Sequence, residues 1–574
     1  MPFTTGRLTT GRLTTGRRPR GAAALLLALA GGAPAALRPA ALRAQVVLGA
    51  GDDATLPAPG EVRGRVTANF NSATSRLGGV TGTGGGRVPL ASEYSTDALG
   101  PTQFPTLGPV RDTLRAITGQ AALGLSLGTV RVVARTSTAV VPTLVEYGIA
   151  RRLAVAVTIP GVTTSTSVGI DANAGGGSGN FGLNPLRDAS TASATASRNA
   201  AALTNLDTAI TRLRAQGAAS AALAADAQRF RDGLATVYGT GGTGTGARPG
   251  AVVVPLAGSD AQAAVAARLA QLAARGAPLS TTALPAASTS RIGTSAFLAL
   301  LTSTELGIGS GAGVLAPLGS YRRSGPGDVD AVVNLNFLDT FGGSGRLGVL
   351  RARVAPARGV RLRSTVGAGW RFGLGSGRSP FLLFDVPPSE RMSAVLARSA
   401  TDVAVGRRFS ASVVARLAAP VGDRVTLRVA DAGQPYAPSY RLREVARRLG
   451  REVELEVTPR YALNGAFAVF GQGFVRDRAA ARYTGTFTAT DAETGVGEVT
   501  FDAASLGVGT GGRETRAGFG VAYSTVAGVA RGRGRLPVEL SYLHSFLAAA
   551  SGGNVLNVTT EQLSLRLGVR LFGR

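Results

Sequence analysis

Residues 561–574 read EQLSLRLGVRLFGR, and their alternation decides the fold. Leu563, Leu565, Leu567, Val569 and Leu571 share one strand face, while Ser564, Arg566, Gly568 and Arg570 share the other. A strand in lipid must be apolar on its outer face and small or polar toward the lumen, so this pattern predicts a membrane-spanning β-strand. A C-terminal amphipathic strand ending near an aromatic is what barrel assembly machinery reads. Here Phe572 is third from the end and out of phase with the leucines.

Working back along the chain, the same alternation recurs. Leu153, Val155, Val157 and Ile159 oppose Ala154, Ala156 and Thr158. Between Arg361 and Phe372, one face carries Arg361, Arg363, Thr365, Gly367, Gly369 and Arg371; Leu362, Val366, Ala368, Trp370 and Phe372 form the other. Phe409, Ala411, Val413, Ala415 and Leu417 oppose Arg408, Ser410, Ser412 and Arg416, with Val414 the exception. Glu452, Glu454 and Glu456 oppose Val453, Leu455 and Val457. Segment 346–354 keeps no single phase, which predicts a bulge there.

Short connections fall near Ala150-Arg151-Arg152, Gly406-Arg407 and Asn464-Gly465, and long ones near 161–328, 419–450, 477–512 and 547–558. Alternating short and long connections are the habit of outer-membrane barrels, with the short turns in the periplasm. The expected fold is an all-β antiparallel transmembrane barrel of about fourteen strands. That count leaves the strand-like Arg424–Val429 in an outer loop.

The N-terminus reads as an export signal. Arg7, Arg12, Arg17, Arg18 and Arg20 precede a short apolar core, Gly21 to Ala30. Ten apolar residues are too few to span a bilayer as a helix, so a cleaved signal is expected over residues 1–44, with cutting after Ala35 the alternative. A largely irregular segment over 45–120 and a barrel over 121–574 complete the expected organisation. Within the barrel, residues 189–275 turn alanine-rich with helical spacing. Leu203, Leu206, Ile210 and Leu213 make one stripe, Leu223, Phe230, Leu234 and Val237 a second, and Val265, Leu269 and Leu272 a third, with Ser259 as N-cap. Such an insert suits an extracellular ornament, a plug or lid over the lumen, or a partner-binding module.

Composition narrows function. All 61 basic residues are arginine and the net charge is +27. Seven arginines lie in the first 44 residues, leaving 54 against 34 acids, a net of +20. Arginine without lysine, among abundant alanine and glycine, points to GC-rich coding. Dense basic runs with interleaved aromatics are absent, which argues against nucleic acid. With no cysteine and one histidine, thiolate zinc sites and two-histidine metal sites are impossible. His544 beside Ser541 or Ser545 leaves a hydrolase conceivable, but Tyr542, His544 and Phe546 share a face and read as an aromatic rim. Asp328 and Asp330 read as solvated turn residues. No catalytic residue, metal or cofactor is expected. The charges placed toward the lumen are Arg361, Arg363, Arg371, Arg408 and Arg416, opposed by Glu452, Glu454 and Glu456. Such ladders either select solutes or neutralise each other and stiffen the wall.

Four stretches carry a family resemblance: PTLVEYGIARRLAVAVTIPGV (Pro142 to Val162), GDVDAVVNLNFLD (Gly327 to Asp339), VTPRYALNGAFAVFGQGF (Val457 to Phe474) and LPVELSYLHSF (Leu536 to Phe546). In this order they resemble strands of the outer-membrane transporter family associated with the meta-pathway of phenol degradation, similar in architecture to long-chain fatty-acid transport barrels. The resemblance implies passive movement of small hydrophobic or aromatic solutes across the bacterial outer membrane, with membrane lipid and the barrel assembly machinery as partners. The helical insert departs from the family pattern. Two other readings stay open: a structural or adhesive surface protein anchored by its barrel, and a secreted, soluble β-sandwich binding protein.

Overall fold

The computed structural model describes residues 52–77, 86–240, 248–303, 306–309, 317–341, 359–431, 434–494, 497–526, 537–553 and 555–570. The export signal, segment 346–354, Leu571 and Phe572 lie outside them.

Twelve strands close into one antiparallel barrel: β1 (Glu61–Ala73), β2 (Val130–Ala150), β3 (Leu153–Ala172), β4 (Val329–Asp339), β5 (Val360–Phe372), β6 (Ala394–Val405), β7 (Phe409–Pro420), β8 (Glu452–Ala462), β9 (Phe467–Arg478), β10 (Gly512–Ser524), β11 (Val538–Ser551) and β12 (Thr559–Arg570). Every strand pairs with its neighbours in sequence, and the ring is sealed by β1 against β12, from Glu61 opposite Arg570 to Ser72 opposite Thr559. Closure satisfies every strand's backbone within the sheet, the condition for lying in hydrocarbon. A thirteenth strand, Tyr321–Pro326, adds to the outer half of β3. The count is close to the fourteen expected, and Asp423–Arg428 does lie in an outer loop, paired with Leu442–Arg448.

The outward faces are those the alternation gave. Leu563, Leu565 and Leu567 are exposed, as are Val157, Ile159, Leu362, Val366, Val413, Leu417, Val453 and Leu455. Aromatics stand on the outward face toward both ends of this band: Tyr147, Phe337, Phe409, Tyr461, Phe467 and Tyr523 toward the short turns, Phe70, Trp370, Phe372, Phe519 and Phe546 toward the long loops. Girdles of this kind mark the two membrane interfaces. The chain is therefore an outer-membrane-type β-barrel.

One boundary needs correction. Residues 45–120, read as largely irregular, contain strand β1. Its alternation was visible, with Val62, Val66, Ala68 and Phe70 opposing Arg63, Arg65, Thr67, Asn69 and Asn71, but Gly64 and short flanking runs diluted it.

On the long-loop side stand the helices α1 (Gly108–Thr118), α2 (Ala192–Ala215), α3 (Ala221–Tyr238), α4 (Asp260–Ala274) and α5 (Thr294–Thr302). The expected stripes are buried: Leu206, Ile210 and Leu213 of α2, Phe230, Leu234 and Val237 of α3, Val265, Leu269 and Leu272 of α4. The Ser259 hydroxyl caps α4 by accepting from the Gln262 N–H at 3.2 Å. This core does not stop at the insert. It continues into Val130, Val132 and Ala134 of β2, into Phe384 and Val386, and into Val558. Phe104, Phe297 and Tyr436 join three separate loop segments, with ring centroids 5.2–6.5 Å apart. Helices and loops thus form a single cap packed onto the outer end of the barrel.

Candidate functional site in the barrel lumen

The lumen is lined by the charged faces of the strands, and its ions are paired across strands. Arg476 of β9 lies 3.0 Å from Glu452, 2.7 Å from Glu454 and 3.0 Å from Glu514. Arg416 of β7 meets Glu456 at 2.9 Å and Glu454 at 3.4 Å. Arg371 forks onto Asp330, with bonds of 2.7 and 2.8 Å. Arg363 reaches Asp339 at 3.3 Å. Ions taken from water must find partners of this kind, because an unpaired buried charge is strongly unfavourable.

Into this network runs a segment the sequence reading passed over. Residues 52–58 enter the lumen at the short-turn end and cross it as a strap. Asp52 contacts Arg65 of β1 at 2.5 Å, Arg398 of β6 at 3.3 Å and Arg416 of β7 at 3.0 Å. Asp53 contacts Arg566 of β12 at 2.6 Å. The strap's backbone is held as well: the Ala54 N–H donates to Asp402 at 3.0 Å, the Ala54 carbonyl accepts from Thr365 at 2.8 Å, and the Thr55 carbonyl accepts from Arg63 at 2.6 Å. Ala54 is fully buried against Ala400 and Val414. Strands β1 and β12 lie across the ring from β5, β6 and β7, so the strap ties opposite walls together.

Burial alone would raise the pKa of both carboxylates. The guanidinium groups of Arg398, Arg65 and Arg416 outweigh it at Asp52, and those of Arg566 and Arg63 at Asp53, holding both below the ordinary aspartate range. Both are anions at any physiological pH.

On the short-turn side of the strap is a cavity of about 310 Å³, at the lower end of the size range of small-molecule sites. Arg63, Arg363, Asp402, Arg460 and Glu539 contribute polar groups to it, and Phe341 an aromatic one.

Of the charges expected toward the lumen, Arg363, Arg371, Arg416, Glu452, Glu454 and Glu456 meet partners there. Arg361 lies half-buried on the same face of β5 as Arg363. Arg408 sits in the turn between β6 and β7, exposed, donating to the Tyr461 phenol at 3.3 Å. Asp52, Asp53, Arg398, Asp402, Arg476 and Glu514 were missed, and Arg566, placed on the polar face of the last strand, was not singled out. One signal pointed to them: Val414, the apolar residue on the inward face of β7, is the one that packs on Ala54. His544 faces outward and bonds Glu561 at 2.6 Å, whereas Ser545 is buried on the opposite face of β11. That placement separates the histidine from the serine a hydrolase would need.

No family model and no curated protein sequence matches the chain. Among solved structures, an outer membrane channel from Pseudomonas putida F1 aligns over 91% of this chain and 100% of its own, with 8% identity and a TM-score of 0.37. A Pseudomonas aeruginosa FadL homologue aligns over 89% and 91%, with 9% identity and a TM-score of 0.24. The Ralstonia pickettii toluene transporter TbuX aligns over 88% of each chain, with 10% identity and a TM-score of 0.22. Coordinate agreement this low leaves the class of the protein resting on its own closed sheet and apolar band.

Proposed function

We propose that the barrel is a passive channel for small hydrophobic or aromatic solutes, with the strap as the closure of its lumen. The observation that carries the reading is the strap itself. It contributes no strand to the wall, and it is held in the lumen by ion pairs and hydrogen bonds that can be exchanged for water. A sheet closed by its own hydrogen bonds does not need it. The cavity beside it supplies polar groups and an aromatic edge at the inner mouth, the composition of a site that orients a small, mostly apolar molecule. Solute then moves down its own gradient, since a barrel wall offers no coupled step.

The test removes residues 52–58 and compares ion conductance in planar bilayers with uptake of toluene or phenol into proteoliposomes. Conductance and uptake should both rise while the barrel stays folded. A folded deletion variant with unchanged conductance and no solute flux would leave the barrel as an anchor for its cap.

A further inference from the structure

We infer that the outer ends of β2 and β3 and the added strand Tyr321–Pro326 form a docking face for the phosphorylated glycolipid headgroups of the outer leaflet. This goes beyond the transport reading and does not depend on it.

The hairpin β2–β3 is much longer than the apolar band requires. Its outward face is apolar at Val141, Val145, Val157 and Ile159, then changes character. In the rows just above Val141, which pairs with Gly161, the outward residues are Ala139, Ser137 and Arg135 on β2, and Thr163, Ser165 and Ser167 on β3; Val133 and Asp171 follow nearer the tip. The added strand continues this face with Ser324 opposite Thr163 and Arg322 opposite Ser165. Arg135, Arg322, Ser137, Ser167 and Ser324 are all exposed. Ser165 lies four residues above Gly161, and a strand rises about 3.3 Å per residue. At a tilt of about 40° that places the Arg322 row about 10 Å above the hydrocarbon edge, within reach of the headgroup layer for a long side chain.

Charge decides what the face takes. Arg131, highest on the hairpin, is matched by Asp97 at 2.7 Å and stands opposite Asp171 in the pairing of β2 with β3. Arg135 and Arg322 have no carboxylate within ion-pair distance among the described residues. On the opposite sector Arg513 stands beside Asp477 in the pairing of β9 with β10, and Glu561 binds Tyr542 and His544. The β2–β3 sector carries two exposed guanidinium groups without an ion-pair partner among the described residues, beside a row of hydroxyls at headgroup height. Guanidinium forks and hydroxyl donors are the groups that recognise phosphate oxygens. A lipid is favoured over a free anion because the face sits directly above the apolar band, where acyl chains lie against Val141 and Ile159.

The experiment uses the purified full chain in detergent, with hexa-acylated bisphosphoryl lipid A, the same lipid without its phosphates, and inorganic phosphate as probes. Binding is read by native mass spectrometry and by thermal melting, with folding checked by heat-modifiable gel mobility. The wild type should hold the bisphosphoryl lipid at least tenfold more tightly than its dephosphorylated form. The double variant Arg135→Glu, Arg322→Glu should lose that preference, while Arg513→Glu should keep it. Equal binding of both lipids by the wild type would overturn the proposal, and this arm stands even if the double variant fails to fold. Retained preference in a folded double variant would overturn it too. Saturation by inorganic phosphate at the affinity of the lipid would show a free-anion site and equally overturn the lipid assignment.

Discussion

Neutralising the strap's two acids, Asp52→Asn with Asp53→Asn, should open the lumen without touching a strand. Asp52 faces three guanidinium groups, and its side chain is only 10% exposed. Removing one partner of a buried ion pair costs about 3–5 kcal/mol; here the loss falls on Arg65 and Arg398, since Arg416 keeps Glu454 and Glu456. At about 1.4 kcal/mol per tenfold, the balance between seated and released strap should shift by a factor on the order of 10²–10³. Single-channel recording in planar bilayers reads this as a gain in open probability. The pH dependence has a definite sign. Both carboxylates have their pKa held below the ordinary value of 3.8. Their contribution is fully present above that value and is lost only as pH falls through the depressed range. The ion pairs of Asp52 and Asp53 should thus stay intact from pH 8 down to pH 5 and be lost only in stronger acid. If the folded double variant shows wild-type closure, the ion pairs do not hold the strap and the reasoning fails.

Further outcomes follow from the wall and the cap. Val413→Arg on the lipid face should cost roughly 2–4 kcal/mol if it lies near the bilayer midplane, measured by unfolding in liposomes; a cost equal to that of Ser412→Arg on the lumen face would refute the sidedness. Arg476→Met strands three carboxylates and should destabilise the barrel by about 3–5 kcal/mol, with Glu454→Gln in the same chain restoring part of the loss. In the cap, a Cβ at Gly233 would come within 2.3 Å of Ile117 Cγ2. Gly233→Ala should therefore overpack the α1–α3 contact by about 1–3 kcal/mol and raise protease cutting in the cap, and Ile117→Ala should relieve it.

Much of the wall was legible because lipid imposes a period of two on every strand. That made the outward face of β12 readable from Leu563, Leu565 and Leu567, and the face of β7 from Phe409 to Leu417. The helices were legible for the same kind of reason, since Leu206, Ile210 and Leu213 repeat at helical spacing. The strap was not. It belongs to no periodic element, and its contacts with Arg398, Arg416 and Arg566 span more than 340 residues of sequence. The pairing of charges was also hidden. Alternation shows that Glu454 faces inward, but only the register of β8 with β9 shows that Arg476 stands beside it. The cap's fusion with the barrel was invisible because its core draws on loops that each look irregular alone.

The seam between β1 and β12 has a consequence for how the molecule is made. It joins residues separated by about 500 positions, and an association of that span is the least favoured in chain entropy and the slowest to form. Chain entropy thus favours it as the final stitch of the cylinder. The strap ends three residues before the seam begins, with the Ala58 N–H donating to Glu61 at 2.9 Å. Segment and stitch are too close to act separately. On that order, the zipping of the last edge would carry residues 52–58 across the opening as the ring forms.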